Sequence, residues 1–378
     1  MIQRLFMGLL CVCASVAVQA QEWDSIVGAV GEVGEPTPHW FTVRGWPTAY
    51  LIDGDAAEVQ GTLTLSMFSP ALAPDLERNR IYAYGSFYTR TYYGERTDVV
   101  LFFDATTMLP VTEVEIPAKS AGIGHSGMIG LVNDRFLGVW NITPAMSVSI
   151  VDVEDEEFVT EISTAGCAMV YPIEDGFLMP CGDGTLQYIT LNRSGEEASR
   201  VRSEVFFDVE KDAIFDYAVP TADGWMFLSF DGQVFTAGID DGEVVVSEPW
   251  SIFQPAAEDE ESPDEGWRIG GRQPFAYNAA TGVLVTLMHE GGGQETFEDP
   301  GTEIWGFNVN TQRRGYRLVL PEEDMATGVQ LTADAEPLLL VAPDESNTLG
   351  IYEGTSGRLL REVPEMNGGL MQNLLPAP

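Results

Sequence analysis

Cations are scarce in this chain. Its 378 residues hold 19 Lys and Arg against 58 Asp and Glu, a formal charge of −39. A surface of that sign is repelled by phosphate backbones and anionic headgroups, which excludes nucleic-acid binding and adsorption to an anionic membrane. Histidine is scarcer still, with three copies: His39, His125 and His289. None has a partner three or four residues away, the spacing a metal site would favour, so each reads as a solvated or core side chain. Beyond the N-terminus no apolar run reaches the roughly 20 residues that span a bilayer. No amphipathic stretch of about ten residues follows a helical period. Missing too are a G-x-S-x-G elbow, calcium-loop and haem-attachment spacings, and a glycine-rich turn between strand and helix for a phosphate. Residue chemistry alone therefore describes a scaffold or binding module.

What is present starts with size and turns. Hydrophobic residues make up 45%, with 39 Gly and 22 Pro. That composition is globular and turn-rich, and the chain is long enough to bury a large core. Residues 1–20 read as an export signal: Arg4 supplies the positive end, an apolar stretch follows, and Val18-Gln19-Ala20 closes it before Gln21. Cys11 and Cys13 follow bulky residues, where lipid attachment needs a small one. The mature protein is expected to begin near Gln21 and to work in the periplasm or outside the cell. Two cysteines then remain, Cys167 and Cys181, flanking an apolar run and a turn. In an oxidising compartment such a pair reads as a structural disulfide. A redox-active or metal-binding pair lacks both C-x-x-C spacing and nearby histidines.

One pattern recurs: an alternating apolar strand, an acidic or polar residue opening a short turn, and a second strand. It occurs at residues 50–59, 100–110, 148–158, 186–196, 234–244, 305–315 and 349–359. The mean period is roughly 50 residues, the size of a four-stranded propeller blade. An Asp or Asn opens such a turn by accepting from the following backbone, and Gly supplies positive φ. Further strands fall between the hairpins, at 136–140, 225–230 and 283–288. The expectation is an all-β, seven-bladed β-propeller, with residues 21–378 as one domain. The fourth unit is short. The interval between the fifth and sixth is long and holds an acidic stretch, 258–265, read as a solvated surface loop with a basic partner as the rarer use.

Several stretches are more particular. Residues 93–104, 108–110, 115–117, 141–152, 161–172, 177–186, 266–277 and 350–360 resemble, in order, the large (heavy) subunit of quinoprotein amine dehydrogenases, the methylamine and aromatic amine dehydrogenase family. The resemblance implies a periplasmic seven-bladed propeller whose paired cysteines are the family's intrachain disulfide. It implies assembly of two large with two small subunits. The small subunit would carry tryptophan tryptophylquinone and oxidise a primary amine to aldehyde and ammonia. Electrons would pass to a small copper protein or a c-type cytochrome. Amine oxidation needs an electrophilic carbonyl and a base for the α-proton. Both are expected in the partner, so this chain would bind no cofactor and carry no catalytic residue of its own.

The candidate channel or interface residues are Trp46, Trp267, Arg268 and Arg272. Relatives carry a longer segment around Trp46, with an aromatic residue at the channel mouth; Trp46 reads first as a buried blade residue, with substitution for that aromatic the rarer use. Arg272 stands where an aromatic residue is common, and residues 292–299 are acidic where a His-Lys pair is usual. These departures keep open a stand-alone periplasmic propeller that binds another redox protein. A hydrolytic propeller would need a metal or triad in its central channel.

Overall fold

Each of the seven hairpins forms the two outer strands of one antiparallel sheet, and the sheets succeed one another along the chain. The computed structural model describes residues 31–45, 47–68, 71–118, 125–142, 145–254, 262–321, 324–366 and 369–375. The export signal read at 1–20, Trp46 and residues 258–261 of the acidic stretch lie outside them.

The second blade runs Leu72–Asp75, Arg80–Tyr88, Arg96–Asp104 and Pro110–Ile116. The third is Ile129–Val132, Phe136–Asn141, Ser147–Asp152 and Glu157–Ser163. The fourth is Tyr171–Ile173, Gly176–Pro180, Leu186–Leu191 and Glu197–Arg202. In the fifth, Ile214–Pro220, Trp225–Ser229 and Gln233–Asp240 are followed by Glu243–Val246, and Trp250–Ser251 also pairs with Gln233–Asp240. In the sixth, Trp267–Ile269 and Phe275–Asn278 share one partner, Val283–Glu290, before Glu303–Asn308 and Arg313–Val319. The seventh is Ala326–Leu331, Leu338–Pro343, Thr348–Glu353 and Leu359–Pro364. The first is built from both ends of this series: Trp40–Arg44, Thr48–Asp53 and Glu58–Thr64 take Met371–Asn373 as their innermost strand. The result is a seven-bladed β-propeller. The helical turns include the 3-10 pieces Ser126–Met128 and Gln294–Thr296.

Middle strands such as Phe136–Asn141, Ser147–Asp152 and Leu338–Pro343 are buried at every position. A neighbouring blade covers each face there, so both rows of side chains leave water and the apolar run is continuous. The outermost strand Arg313–Val319 instead alternates exposed with half-buried.

The turns repeat down to single atoms. Asp53 Oδ1 accepts from the amides of Asp55 and Ala56, Asp104 Oδ1 from Thr106 and Thr107, and Asp152 Oδ1 from Glu154 and Asp155. Asn192 and Asn308 do the same in the fourth and sixth blades. A register shift follows in the paired strand of every blade except the fifth. The residue leaving the turn takes positive φ at Ala57, Met108, Glu156 and Gln312, and at Gly195 in the fourth blade. Gly195 has a second constraint, because a Cβ there would stand 2.7 Å from the Phe136 ring.

Ring closure is held by amides. Gln372 bonds both the amide and the carbonyl of Leu72, at 3.0 and 2.9 Å, and Asn373 donates to Leu331 O at 2.8 Å. Gln273, from the sixth blade, donates to Met371 O at 2.9 Å and to the Tyr217 hydroxyl at 3.2 Å, and accepts from Met371 N at 2.9 Å. Further out, His39 joins the first blade to the last. Its Nδ1 lies 3.0 Å from Asp55, and its Nε2 lies 3.4 Å from Asp334 and 3.2 Å from Glu336 O. Arg361 donates to Gly54 O and Asp55 O at 2.6 and 2.8 Å.

Burial opposes the His39 imidazolium, but the Asp55 bond and charge, the Asp334 charge and the Glu336 carbonyl together outweigh it and raise the pKa. A raised value adds stability that is complete below about pH 6.5, the ordinary imidazole value, and is lost as pH climbs through the folded-state value. The melting temperature of the wild type is therefore expected to fall more steeply above about pH 6.5 than that of His39→Gln. Parallel curves in a pH series of thermal melts would show that the His39 contacts with Asp55 and Asp334 add no stability.

Candidate functional site

Three of the four residues singled out in the sequence lie on one stretch of the sixth blade. Trp267 and Arg268 belong to Trp267–Ile269, whose partners run Trp267↔Glu290, Arg268↔His289 and Ile269↔Met288. Gly270 and Gly271 then carry the chain to Arg272. A Cβ on Gly270 would meet Asp299 O at 2.5 Å. Gly271 has φ +101°, and a Cβ there would meet Leu287 at 2.7 Å and Thr327 O at 2.8 Å. Only glycine passes both points. Arg272 emerges exposed, its amide donating to Thr327 O of the seventh blade at 2.7 Å, while its neighbour Gln273 turns inward to the closing strand. Arg268 donates to Trp267 O at 2.9 Å. The stretch separates its residues: Trp267 faces a cluster on the blade, and Arg272 stands where the sixth blade meets the seventh.

That cluster joins aromatic rings to paired charges. Trp305 is fully buried and lies 5.3 Å from Trp267, ring centre to ring centre. Arg317 stacks over both, at 4.9 Å from Trp267 and 4.7 Å from Trp305, and Arg314 stacks over Trp305 at 4.3 Å. Glu303 holds Arg317 by two bonds of 2.7 and 2.9 Å and accepts from Trp305 Nε1 at 2.6 Å. The Glu303 bond, with its charge, holds the Arg317 pKa above the ordinary value against burial. Register explains the meeting: Trp305 pairs Arg317, and Glu303 lies two residues along on the same face. Arg314 reaches Asp264 at 2.8 Å, and the other Asp264 oxygen accepts from Gln254 N at 2.8 Å.

Asp264 corrects the reading of 258–265 as a solvated loop. Its residue is 3% exposed. Free carboxylates do stay in water, but Arg314 sits close enough to compensate the loss of hydration. The stretch is thereby pinned at its C-terminal end to the outer hairpin of the sixth blade.

Cys167 and Cys181 are disulfide-bonded, as read, and both are buried. The bridge joins the segment entering the fourth blade to the end of Gly176–Pro180, and Trp140 Nε1 donates to Cys167 O at 3.2 Å. The histidines stand apart. His39 closes the ring, His125 Nε2 lies 3.4 Å from Asp216, and His289 is buried in the sixth blade. Among the described residues no group of His, Cys, Asp or Glu has metal-holding geometry.

The two ends of the propeller differ. The Asx turns of the outer hairpins lie at one end, because the third turn of a four-stranded meander falls on the same side as the first. At the other end, blade-to-blade connections leave, and large apolar side chains are exposed. The ribbon formed by Arg80–Tyr88 and Arg96–Asp104 extends past Leu72–Asp75, pairing as far as Tyr88↔Arg96. Its tip presents Tyr92 and Tyr93, 64% and 62% exposed, with Arg90 over the Tyr93 ring at 5.6 Å. Phe87, Phe297 and Val319 are exposed at the same end, Phe297 stacked on Phe230.

Sequence reading missed Gln273, the Arg314–Asp264 pair and the Glu303–Arg317–Trp305 group. One signal was present: in a chain poor in cations, Arg313, Arg314 and Arg317 fall in one strand opposite Glu303 and Trp305.

Comparison with known proteins follows from this geometry. A family model described as methylamine dehydrogenase heavy chain matches residues 33–372. The methylamine dehydrogenase heavy chain of Methylophilus methylotrophus is 24% identical over 324 residues, 84% of this chain and 77% of its own length. That of Paracoccus versutus is 26% identical over 327 residues, covering 85% and 74%. Among solved structures, the dihydro-heme d1 dehydrogenase NirN is similar with TM-score 0.53 at 16% identity, covering 90% of this chain and 76% of that one. The β-propeller domain of Myceliophteria thermophila Cps50 (Swd1) is similar with TM-score 0.52 at 10% identity, covering 84% and 96%. At such identities the structural likeness speaks for the fold alone.

Proposed function

The chain belongs to the methylamine dehydrogenase heavy-chain family, and from that premise we propose that it is the large subunit of a periplasmic amine dehydrogenase that docks a small, quinone-bearing chain. The observation that carries this is the family match over residues 33–372, nearly the whole propeller. Oxidising a primary amine to an aldehyde and ammonia takes up a water and releases an electron pair. In this reading the small subunit would hold tryptophan tryptophylquinone, which would supply the acceptor for that pair. A copper protein or c-type cytochrome then removes it, and two large subunits assemble with two small ones.

This chain's own part is binding and exclusion of water. Phe87, Tyr92, Tyr93 and Phe297 offer the small subunit an aromatic face at the end opposite the Asx turns. Aromatic side chains bury much area for few torsions, which suits an interface core. Arg272 supplies an exposed cation where the sixth blade meets the seventh, in an otherwise acidic chain. With a formal charge of −39, the partner is expected to be less acidic or basic, and association to weaken as salt rises.

Co-expression with a small, cysteine-rich quinone subunit tests the proposal. Amine-dependent dye reduction is expected only when both chains are present, in a complex that loosens at high ionic strength. A chain that purifies alone, forms no complex and confers no activity would sink it and favour a stand-alone scaffold.

A further inference from the structure

Between the fourth and fifth blades the outer wall opens into a groove of about 700 Å³. One side is the segment after Glu197–Arg202, with Val205, Phe206 and Phe207; the other is the outermost strand Glu243–Val246. Val205 is 66% exposed and Val245 is 50% exposed. Glu243–Val246 lines the groove and pairs only with Gln233–Asp240, so no strand is hydrogen-bonded to its outer backbone edge. This is the one blade whose outer hairpin lacks the register shift, and bulges are a usual way of turning an edge from further pairing.

The rim is acidic. Glu204 and Glu248 are exposed, and neither carboxylate meets a cation among the described residues. Asp208 is held by Lys211 at 2.7 Å, and Asp212 accepts from Asp231 N at 2.9 Å, so those two are engaged. An apolar floor, an open strand edge and two uncompensated carboxylates specify one kind of occupant. The geometry points to a docking groove for an extended segment of another polypeptide, apolar at alternate positions and Lys or Arg at the others, added as a further strand to the fifth blade. Main-chain bonds to the edge would supply affinity; Val205, Phe206 and Val245 would receive the apolar side chains, and Glu204 and Glu248 the basic ones. The inference does not rest on the amine dehydrogenase reading, since the groove lies between the fourth and fifth blades and the Tyr92 and Tyr93 tip belongs to the second.

The experiment is fluorescence anisotropy on the full-length protein with three short labelled peptides: alternating valine and lysine, alternating serine and lysine, and alternating valine and glutamate. Saturable binding is expected for the first alone. Val205→Asp and Val245→Asp should weaken it by about tenfold or more. Each change adds a carboxylate, which would tighten a purely electrostatic association, so weakening identifies the apolar contact. Both positions are exposed, and thermal melts of the two variants would verify an intact fold. Glu204→Gln with Glu248→Gln should flatten the salt dependence. If the serine–lysine peptide binds as tightly as the valine–lysine one, or if binding survives both Asp variants, the groove is no docking site.

Discussion

Arg314→Met is expected to lower the free energy of unfolding by about 3–5 kcal/mol in a urea titration. The Asp264 carboxylate has no exposed surface, and Arg314 is the only cation in salt-bridge contact with it among the described residues, Arg317 acting on it through charge alone. Without it, a buried charge must either remain uncompensated or take up a proton, and both cost stability. The stacking of the guanidinium over Trp305, at 4.3 Å, is lost as well. Asp264→Asn combined with Arg314→Met removes both charges. That double variant should recover most of the loss, because a buried pair replaced by neutral groups is close to neutral in stability. A single variant that melts within about 1 kcal/mol of the wild type would mean that the pair adds no more than a surface ion pair does.

Gln273→Leu should rank next. The change nearly conserves volume, so packing is preserved while Met371 N, Met371 O and the Tyr217 hydroxyl lose a bonding partner inside the core. A buried polar group left unpaired costs about 1–3 kcal/mol. Gln330, 3.4 Å from Met371 O, can take over part of one bond. A total of about 3 kcal/mol or more is expected. The loss should also be local: amide exchange at Thr42 and Val43, which face the closing strand, should accelerate more than at Leu340 in the seventh blade. Uniform acceleration across the ring would show that Gln273 supports the core generally and not the closure.

The architecture was legible because its code is local. In five of the seven blades the outer hairpin announces itself through an Asp or Asn whose side chain binds an amide two or three residues on, and in all through alternation on either side. The cysteine pair was legible for a related reason, since hairpin spacing in a chain read as exported leaves few other uses. The polar joints that hold the ring were not legible. His39 meets Asp334, Gln273 meets Met371, and Arg314 meets Asp264 across large sequence distances. No periodicity encodes such meetings; they exist only once the blades have closed into a circle. Asp264 shows how local reading misleads, because a carboxylate in an acidic run looks solvated until an arginine from another strand covers it. Trp267 was marked by its segment, but its place beside Trp305 and Arg317 depends on strand register, which composition does not carry.

The closing strand also sets a clock. Met371–Asn373 must find Trp40–Arg44 some three hundred residues upstream, and every other sheet pairs strands that are near neighbours in sequence. Contacts of such separation form late, after the intervening chain has lost most of its freedom. A chain delivered N-terminus first can fold its intermediate blades one by one, yet stays an open arc until residue 373 arrives. Throughout that interval the first blade shows a bare inner edge that invites pairing with another copy. Truncation just before residue 371 would therefore hold the molecule in that arc for good, and its expected fate is aggregation.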